Sequence, residues 1–348
     1  MKVTLDKNLR YRYLQKLTEV DACLVENPLD LFYLTGLKLS SGRLLISAKE
    51  VLLLVDGRYL QMAEAKASVS TALDSSEKFL DFCKRHHVKH LGFDGRYTSY
   101  DHYQLLNKYK AQIKLIPVSC HFQTMRAIKD TGEIVLMKKS AALLWKGFQF
   151  LVKSLKTGVT EKQLSKWFEI FCLEHGADRL AFDPIIAFGK NGAMPHYQCQ
   201  NTKLKEGDAV LIDIGVVLNH YHSDMTRVHF FKKEDPYIRH LYEIVKRSQQ
   251  SALKLCRPGS QLKDLDLAAR HVMRQEGVED LFVHSLGHGI GLQTHEYPRI
   301  KFDNTDKDVV LESGMVFTVE PGLYVPDKGG VRYEDTIVIT PTGYTNFF

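Results

Sequence analysis

Five residues between positions 213 and 334 have side chains that could bind metal ions. Each lies in a distinctive local sequence: Asp213 in LIDIG, Asp224 in HSDMTR, His288 in GHGIG, Glu320 in TVEPG and Glu334 in VRYED. Carboxylates gathered in a folded core repel one another and lose their hydration. Divalent cations between them relieve both penalties, so the sequence predicts a hydrolase with two metal ions.

The local pattern indicates how the two aspartates meet. Residues 209–231, AVLIDIGVVLNHYHSDMTRVHFF, are typical of a β-hairpin with its turn near Leu218–His220. Because alternate residues of a strand share one face, this hairpin can direct Asp213 and Asp224 to one point. Gly215 would leave room between them.

The C-terminal strands would supply the remaining carboxylates. We expect Arg332, Glu334 and Thr336 to share one face of the last strand, where a guanidinium can hold ligating carboxylates in position. Pro321 ends the strand that carries Glu320 and leaves this side chain at a rim, so Glu320 is the best candidate to take a proton.

Histidines add a second kind of chemistry. His288 lies between glycines, and His196, His284 and His295 lie in MPHYQ, VHSLGH and THEYP. A lone histidine is more often structural than a ligand, but histidines near a metal can bind substrate carbonyls and move protons. Oxygen-rich ligation with one nitrogen suits Mn, Co, Zn, Fe or Mg. Two such ions about 3.5–4 Å apart would activate a bridging water and polarise a carbonyl.

The composition limits the alternatives. The chain has 348 residues, 44% hydrophobic and 25% charged, with a net charge of +6, which is ordinary for a soluble protein of two domains. Without a basic tract that contains aromatic residues, a nucleic-acid partner is disfavoured. No apolar run is long enough to span a bilayer, and the charged start, residues 1–14, is unlike a signal peptide. Six dispersed cysteines without a CxxC pair indicate reduced thiols and a cytoplasmic location.

The chain divides into two predicted domains, residues 1–124 and 125–348. The first alternates short apolar runs with helical stretches and is predicted to be a smaller α/β domain. The second begins with long helical segments, where Thr160 and Gln163 form a capping box. It then continues mainly as strands, with two further helices.

At this point the residues resemble a known family. The second domain is similar to the pita-bread metallopeptidases, which include methionine aminopeptidase, aminopeptidase P and prolidase. The two aspartates are eleven positions apart, as in that family, His284 and His295 flank His288, and Arg332 precedes Glu334 by two. ENPLDLFYLTG and LLLVDGRY in the first domain resemble the creatinase-type N-terminal domain, which methionine aminopeptidase lacks. The implied fold class is α+β.

The resemblance also implies a division of the ligands. Asp213 and Asp224 would bind one ion, and Asp224, His288 and Glu320 would bind the other. Glu334 and Asp224 would bridge the two ions, and Glu320 would be the general base. The expected ions are divalent, with Mn first and Co or Zn as alternatives.

Further roles follow from the same resemblance. Tyr324 would join Arg332 in a hydrogen-bond network around Asp213. Three histidines would contact the substrate and the tetrahedral intermediate, namely His196, His284 and His295. Family members are usually dimers, so a homodimer is expected.

The implied reaction is hydrolysis of the bond before proline in Xaa-Pro peptides. General peptidases handle this bond badly, because proline lacks an N–H and has a fixed ring. Our first expectation is an Xaa-Pro aminopeptidase (aminopeptidase P), since that activity needs no extra cation. The alternative is an Xaa-Pro dipeptidase (prolidase), in which Arg299 of HEYPR would bind the substrate carboxylate as in archaeal prolidases; an ordinary surface arginine is the competing interpretation. Remote alternatives are a non-peptide amidase and a non-catalytic binding protein.

Overall fold

The computed structural model describes residues 11, 14–15 and 17–348, apart from the side chains of Ser119 and Cys120. Most of the charged start, on which the expectation about a signal peptide depends, lies outside these residues. The described residues form two compact units, one that ends at Met125 and one that comprises Arg126–Phe348. None of the helices described is both long and apolar enough to cross a membrane.

The first unit is built on a six-stranded mixed sheet in the order β4-β3-β2-β1-β5-β6. Its strands are β1 (Ala22–Val25), β2 (Arg43–Ser47), β3 (Val51–Val55), β4 (Ser70–Leu73), β5 (His90–Phe93) and β6 (Lys114–Pro117). Its helices are α1 (Pro28–Thr35), α2 (Leu60–Lys66), α3 (Ser76–Arg85) and α4 (Tyr100–Leu106), followed by a 3-10 turn at Asn107–Tyr109; the division at Met125 falls within α5 (Ser119–Ala127).

The central strands of this sheet are mostly apolar, with Arg43 and Ser47 at the two ends of β2. Ala22–Val25 is buried at every residue, and the neighbouring strands are nearly so. Continuous apolar runs are typical of strands covered on both faces. Phe79 and Phe82 of α3 pack into the same core as these strands.

The second unit contains three sheets and the longest helices. The helices are α6 (Thr131–Ser154), α7 (Glu161–Glu174), α8 (Pro236–Leu253) and α9 (Leu262–Gln275), with 3-10 turns at Gly189–Ala193 and Glu279–Leu281. The strands are β7 (Arg179–Leu180), β8 (Ile185–Phe188), β9 (Ala209–Leu218), β10 (Tyr221–Phe230), β11 (Gly287–Gly289), β12 (Glu296–Ile300), β13 (Val316–Val319), β14 (Gly322–Val325), β15 (Gly329–Arg332), β16 (Asp335–Ile339) and β17 (Tyr344–Asn346).

These strands pair into a layered scaffold around two apolar cores. β9 pairs with β10, β7 and β8; a second sheet has the order β12-β11-β13-β16-β17; β14 and β15 form a separate pair. Helix α6 packs on β9 and β10, and α8 packs on α9. Many core residues come from the strands that also carry the predicted ligands.

Local signals explain where the helices begin. The predicted capping box is confirmed, because the Thr160 side chain accepts from the Gln163 N–H and the Gln163 side-chain oxygen accepts from the Thr160 N–H. Asp130 and Glu133 form a second capping box at the start of α6. Gly176 follows α7 with φ of +93° and completes its C-terminus.

The predicted hairpin is present, with its turn at Asn219 and His220. Both turn residues have positive φ, 50° and 71°, as in the type I′ turns that match the twist of hairpin strands. The register places Asp213 opposite Thr226 and Gly215 opposite Asp224. The two aspartates therefore project from the same face of the hairpin.

The predicted continuous strand through Arg332, Glu334 and Thr336 is wrong. Strand β15 ends at Arg332 and pairs with β14, whereas β16 pairs with β13. Glu334 lies in the break where the chain passes from one sheet to the other. Its backbone is hydrogen-bonded there, since its N–H donates to the Thr226 carbonyl and the Arg227 guanidinium donates to its carbonyl.

Gly215 leads to a prediction about stability. A Cβ added there would lie 2.6 Å from the Phe182 ring and 2.6 Å from the Ser223 carbonyl oxygen, too close for either to remain in place. We expect Gly215→Ala to lower the free energy of unfolding by about 1–3 kcal/mol, the usual cost of overpacking, as measured by urea denaturation. Gly343→Ala is the matched control, because a Cβ at Gly343 meets nothing within 4 Å. Equal stability of the two variants would contradict the tight fit at the hairpin.

Candidate metal centre

The fold brings the five predicted ligands together from strands of the second unit and from residues directly next to strand ends. Asp213 and Asp224 lie on β9 and β10, His288 on β11, Glu320 directly after β13, and Glu334 between β15 and β16. One ligand atom from each of Asp224, His288 and Glu334 lies within 4.8 Å of the others. His288 Nε2 is 3.4 Å from Glu320 Oε1 and 3.8 Å from Asp224 Oδ2.

The surroundings of His288 leave one ring nitrogen available for a metal. Its Nδ1 is 3.1 Å from the Gly289 carbonyl oxygen and can donate to it, which leaves Nε2 unprotonated and directed at the carboxylates. Burial lowers the pKa of His288 to about 3, with a further contribution from His295, so the ring is neutral near pH 7. A carbonyl that fixes the tautomer is typical of metal-binding histidines.

The flanking glycines allow this strand to approach its neighbours closely. A Cβ at Gly287 would lie 1.9 Å from the Thr318 carbonyl oxygen, and one at Gly289 would lie 2.2 Å from the Tyr297 carbonyl oxygen. No other residue type fits at either position. The GHG sequence therefore sets the depth of His288 by backbone packing.

Two carboxylate oxygens in the centre have no hydrogen-bond donor. Asp213 Oδ1 and Asp224 Oδ1 are buried and unpaired among the described residues. A buried charged oxygen without a partner costs several kcal/mol. Both atoms belong to the predicted ligand set, so a cation fits this arrangement.

The carboxyl groups are also strained electrostatically. Burial, with repulsion from Glu334 and other acids, raises the pKa of Asp224 well above its usual range. Burial and Glu334 do the same for Glu320. Burial, reinforced by Asp213, raises the pKa of Glu334 to about 8. A cation placed among these groups would reverse all three shifts.

Arg332 organises one side of the centre. Its guanidinium donates to Asp213 Oδ2, to Thr226 Oγ1 at 3.0 Å and to the Tyr324 hydroxyl at 2.6 Å. The Tyr324 hydroxyl in turn lies 2.8 Å from His284 Nε2. The buried Arg332 guanidinium thus links Asp213, a predicted ligand, through Tyr324 to His284, a predicted substrate-binding histidine.

Two threonines belong to the same network and are absent from our sequence predictions. Thr226 donates to Glu334 Oε2 at 2.7 Å. Thr318 donates to Glu320 Oε1 at 3.3 Å and accepts the His288 N–H at 3.1 Å. Each lies two residues from a carboxylate on its strand segment, so strand alternation was the signal that could have identified them.

The other three predicted histidines, His196, His284 and His295, lie on one side of the centre. The His295 ring packs against His288 with its centroid 4.2 Å away. Burial lowers the pKa of His284 to about 3, and burial also lowers the pKa of His295. His196 is exposed, and its electrostatic interaction with His284 and His295 contributes to lowering both of these pKa values, which places it near both rings.

Arg299 faces the same side as His288. The two residues are cross-strand partners in the β11–β12 ladder, and such partners project from one face of a sheet. Arg299 is exposed. Within the part of the chain that the structure describes, its guanidinium has no hydrogen bond or ion pair, so it is available to an anionic ligand.

The donor set is oxygen-rich with one imidazole, which suits hard or borderline divalent cations. It lacks thiolates, since the described cysteines are free and lie elsewhere in the chain. The residues present therefore fit the divalent metal ions that the sequence predicts.

Known proteins resemble this chain over most of its length. Residues 135–341 match the model of metallopeptidase family M24, and residues 10–128 match the creatinase/prolidase N-terminal domain. An Xaa-Pro dipeptidase from Pyrococcus furiosus is 33% identical and is aligned over 93% of this chain and 92% of its own. An Xaa-Pro dipeptidase structure from Bacillus anthracis superposes with a TM-score of 0.91 at 30% identity, covering 98% of this chain and 96% of that one. An X-Pro aminopeptidase structure from Thermotoga maritima gives 0.85 at 30% identity, covering 94% and 95%.

These matches confirm the predicted resemblance and the predicted fold class, a pita-bread domain preceded by a creatinase-type α/β domain. The relatives named here are more often dipeptidases than aminopeptidases.

The first prediction from this site concerns metal binding. We expect Asp224→Ala and Glu334→Ala each to weaken Mn²⁺ binding at least about 100-fold, because each removes a buried ligand. Calorimetric titration of chelator-treated protein measures this affinity. Glu312→Ala is the control, since Glu312 is an exposed acid of the same unit. Undiminished affinity in the two ligand variants would contradict the assignment.

The second prediction concerns the pH dependence of the metal-free protein. With its pKa raised to about 8, Glu334 holds a proton in the folded state that the unfolded chain releases above pH ~4.3. Folded stability is therefore lost as the pH rises towards 8. The histidines with lowered pKa values act in the opposite direction, and this effect declines above about pH 6.5 as the unfolded chain loses its imidazole protons.

Between about pH 7 and 8 we thus expect the unfolding free energy of stripped protein to fall by up to about 1.4 kcal/mol per pH unit for that carboxyl. Saturating Mn²⁺ should abolish the decline, because it keeps the carboxylates ionised. Urea denaturation at several pH values tests this. A stability that rises with pH in the stripped protein would show that the carboxyls are not protonated.

Proposed function

The chain belongs to metallopeptidase family M24, and from this membership we propose that it is an Xaa-Pro dipeptidase that cleaves the amide bond before a C-terminal proline. The observation that carries the proposal is Arg299, an exposed guanidinium directed to the same face as His288. The names of the similar proteins favour this dipeptidase alternative over our first expectation of an aminopeptidase.

Membership of a metallopeptidase family implies divalent metal ions. We propose that Asp213, Asp224, His288, Glu320 and Glu334 hold two of them and that Mn²⁺ is preferred over Co²⁺ or Zn²⁺. When bound, such ions supply Lewis acidity that polarises the scissile carbonyl and makes water a stronger nucleophile.

Glu320 is proposed as the general base. It follows the end of β13 and is more accessible than the other predicted ligands, with its side chain 15% exposed. Its carboxylate would take a proton from the attacking water and transfer it to the proline nitrogen, which leaves as a secondary amine. Thr318 donates to Oε1 and holds the carboxylate in orientation.

The histidines are proposed to bind the reacting amide. His284 is neutral near pH 7, and its ring is fixed between the Ser285 carbonyl, 2.8 Å from Nδ1, and the Tyr324 hydroxyl. His295 and His196 lie on the same side of the centre and can donate to a carbonyl oxygen as its charge develops. Hydrogen bonds from Arg332 to Asp213 and to the Tyr324 hydroxyl, which contacts His284, fix the position of His284 relative to Asp213.

Arg299 would set the accepted peptide length. In a dipeptide, the carboxylate of proline is free and lies close to the scissile bond, where an unpaired guanidinium can bind it with charge-assisted hydrogen bonds. In a longer peptide this carboxylate is replaced by a neutral amide. Preference for dipeptides then follows from the loss of that ion pair.

An Xaa-Pro aminopeptidase is the second candidate, because the similar structure from Thermotoga maritima carries that name. A non-peptide amidase or a binding protein without activity is disfavoured, since all five predicted ligand positions are occupied by suitable side chains. The domain boundary between residues 124 and 125, a homodimer and a cytoplasmic location remain predictions. Free cysteines at every described cysteine side chain support the last of these.

The proposed function is tested with a matched substrate set. Protein stripped with chelator and reloaded with Mn²⁺ is assayed on Xaa-Pro, Xaa-Pro-Xaa and Xaa-Ala. We expect metal-restored cleavage of Xaa-Pro alone. Comparable cleavage of Xaa-Pro-Xaa would support the aminopeptidase, and absence of cleavage with metal bound would reject both.

Arg299 gives the most specific prediction for this function. We expect Arg299→Ala to raise the KM for Xaa-Pro about 10- to 100-fold, the value of a lost hydrogen bond to a charged group. The KM for any longer peptide that is cleaved should change little. Arg247→Ala, at a surface arginine of α8, is the control. Equal effects of Arg299→Ala on short and long peptides would leave Arg299 without a role in recognition.

A further inference from the structure

The three histidines proposed to bind the substrate, His196, His284 and His295, lie on segments without regular secondary structure. His196 follows the 3-10 turn Gly189–Ala193, His284 lies between the turn Glu279–Leu281 and β11, and His295 lies between β11 and β12. Loops are the more mobile parts of a fold, yet a misplacement of about 1 Å can lower a rate about 100-fold. Each loop therefore needs an anchor.

The loop of His196 is anchored by Glu161, the first residue of α7. Glu161 is fully buried, and among the described residues no ion pair compensates its charge. Four donors reach its carboxylate: the Phe188 N–H at 2.9 Å, Asn191 Nδ2 at 2.8 Å, the Tyr197 hydroxyl at 2.7 Å and the Gln200 N–H at 3.0 Å. These donors precede and follow His196 in the chain, so one carboxylate closes the loop around it.

The loop of His284 is anchored by Asp266 through Arg270. Asp266, fully buried on α9, accepts from Arg270 Nε at 3.1 Å and from the Phe302 N–H at 3.0 Å. Arg270 then donates to the carbonyl oxygens of Phe282, at 3.4 Å, and His284, at 3.0 Å. The guanidinium also packs on the Phe282 ring, 4.4 Å from its centroid.

The loop of His295 is anchored by the next residue, Glu296. Its side chain is 2% exposed and forms ion pairs with Arg126 at 3.4 Å and Lys129 at 3.6 Å. Its Oε1 also accepts the N–H groups of Leu292 and Gln293, both at 3.1 Å. The carboxylate thus ties both ends of the loop to the start of the second unit.

We propose that Glu161, Asp266 and Glu296 are positioning residues, each of which holds one histidine in its reactive place: His196, His284 and His295 respectively. The proposal rests on the proposed function only in that these histidines act on the substrate. In the described hydrogen bonds, none of the three carboxylates contacts a predicted metal ligand, so their effect passes through the loops.

Matched and crossed double mutants separate this role from a general contribution to stability. The variants Glu161→Gln, Asp266→Asn and Glu296→Gln keep side-chain volume but present an amide N–H to groups that are themselves donors. Each is combined with His196→Ala, His284→Ala and His295→Ala. A pair is matched when the carboxylate is the one proposed to position that histidine, and crossed otherwise, which gives three matched and six crossed pairs. All are measured with Mn²⁺ on Xaa-Pro.

We expect each carboxylate variant alone to lower kcat/KM about 10- to 100-fold. In the matched pair it should lower it by less than about twofold beyond the histidine variant, because the group it positions is already gone. In crossed pairs the two effects should multiply. Multiplying effects in a matched pair, or the same coupling in matched and crossed pairs, would overturn the assignment for that residue.

A second readout does not depend on turnover. The dissociation constant of a phosphinate analogue of Xaa-Pro is measured by calorimetry for the same variants, together with Mn²⁺ content and the unfolding midpoint. In matched pairs, the two substitutions should again have a non-additive effect on this dissociation constant. The changes that they cause in the unfolding midpoint should be additive in all pairs. Coupling in the midpoints but not in analogue binding would show a purely structural role.

A milder variant covers the case in which a carboxylate variant does not fold. Tyr197→Phe removes one donor to Glu161 and retains the carboxylate. It should lower kcat/KM with His196 present and have no effect in the His196→Ala background. Failure of the proposed function is distinguishable from failure of the positioning role. If the wild type cleaves only longer peptides, the dipeptidase is rejected. The same double-mutant cycles, measured on those longer peptides, then still test the positioning role.

Discussion

The main physical constraint on this structure is the electrostatic cost of burying four carboxyl groups close together beside His288. These groups belong to Asp213, Asp224, Glu320 and Glu334. Burial and mutual repulsion raise the pKa of three of these carboxyls, and two carboxylate oxygens have no donor among the described residues. No packing of apolar side chains compensates such a cluster. Divalent cations do, and the metallopeptidase family to which the chain belongs is built around them.

The rest of the second unit can be understood as the scaffold for this cluster. Three predicted ligands, Asp213, Asp224 and His288, lie on paired strands, and Glu320 and Glu334 lie directly next to strand ends, so strand pairing sets much of the ligand geometry. Arg332 links Asp213 to Tyr324 and hence to His284, which couples the metal side of the centre to the substrate side. Buried carboxylates outside the cluster then fix the loops that no strand holds.

Sequence reasoning succeeded where the signal was local. Alternation along β9 and β10 was enough to place Asp213 and Asp224 on one face, and the Thr160 capping box marked a helix start. It failed where the answer depends on distant pairing: the chain changes sheets at Glu334, and Thr226 acquires its role only because β10 meets that break. The orientation of Arg299 likewise could not be inferred from its position in the sequence, because it depends on the register in which β12 pairs with β11.

The central claim is that the carboxylate cluster binds two divalent cations, and anomalous diffraction tests it most directly. Crystals of the protein grown with Mn²⁺ should show two anomalous peaks among Asp213, Asp224, His288, Glu320 and Glu334, about 3.5–4 Å apart. With the metals bound, Asp213 Oδ1 and Asp224 Oδ1 should lie within coordination distance of a peak. No peak in the cluster at saturating Mn²⁺, or peaks only at other acidic residues, would contradict the account.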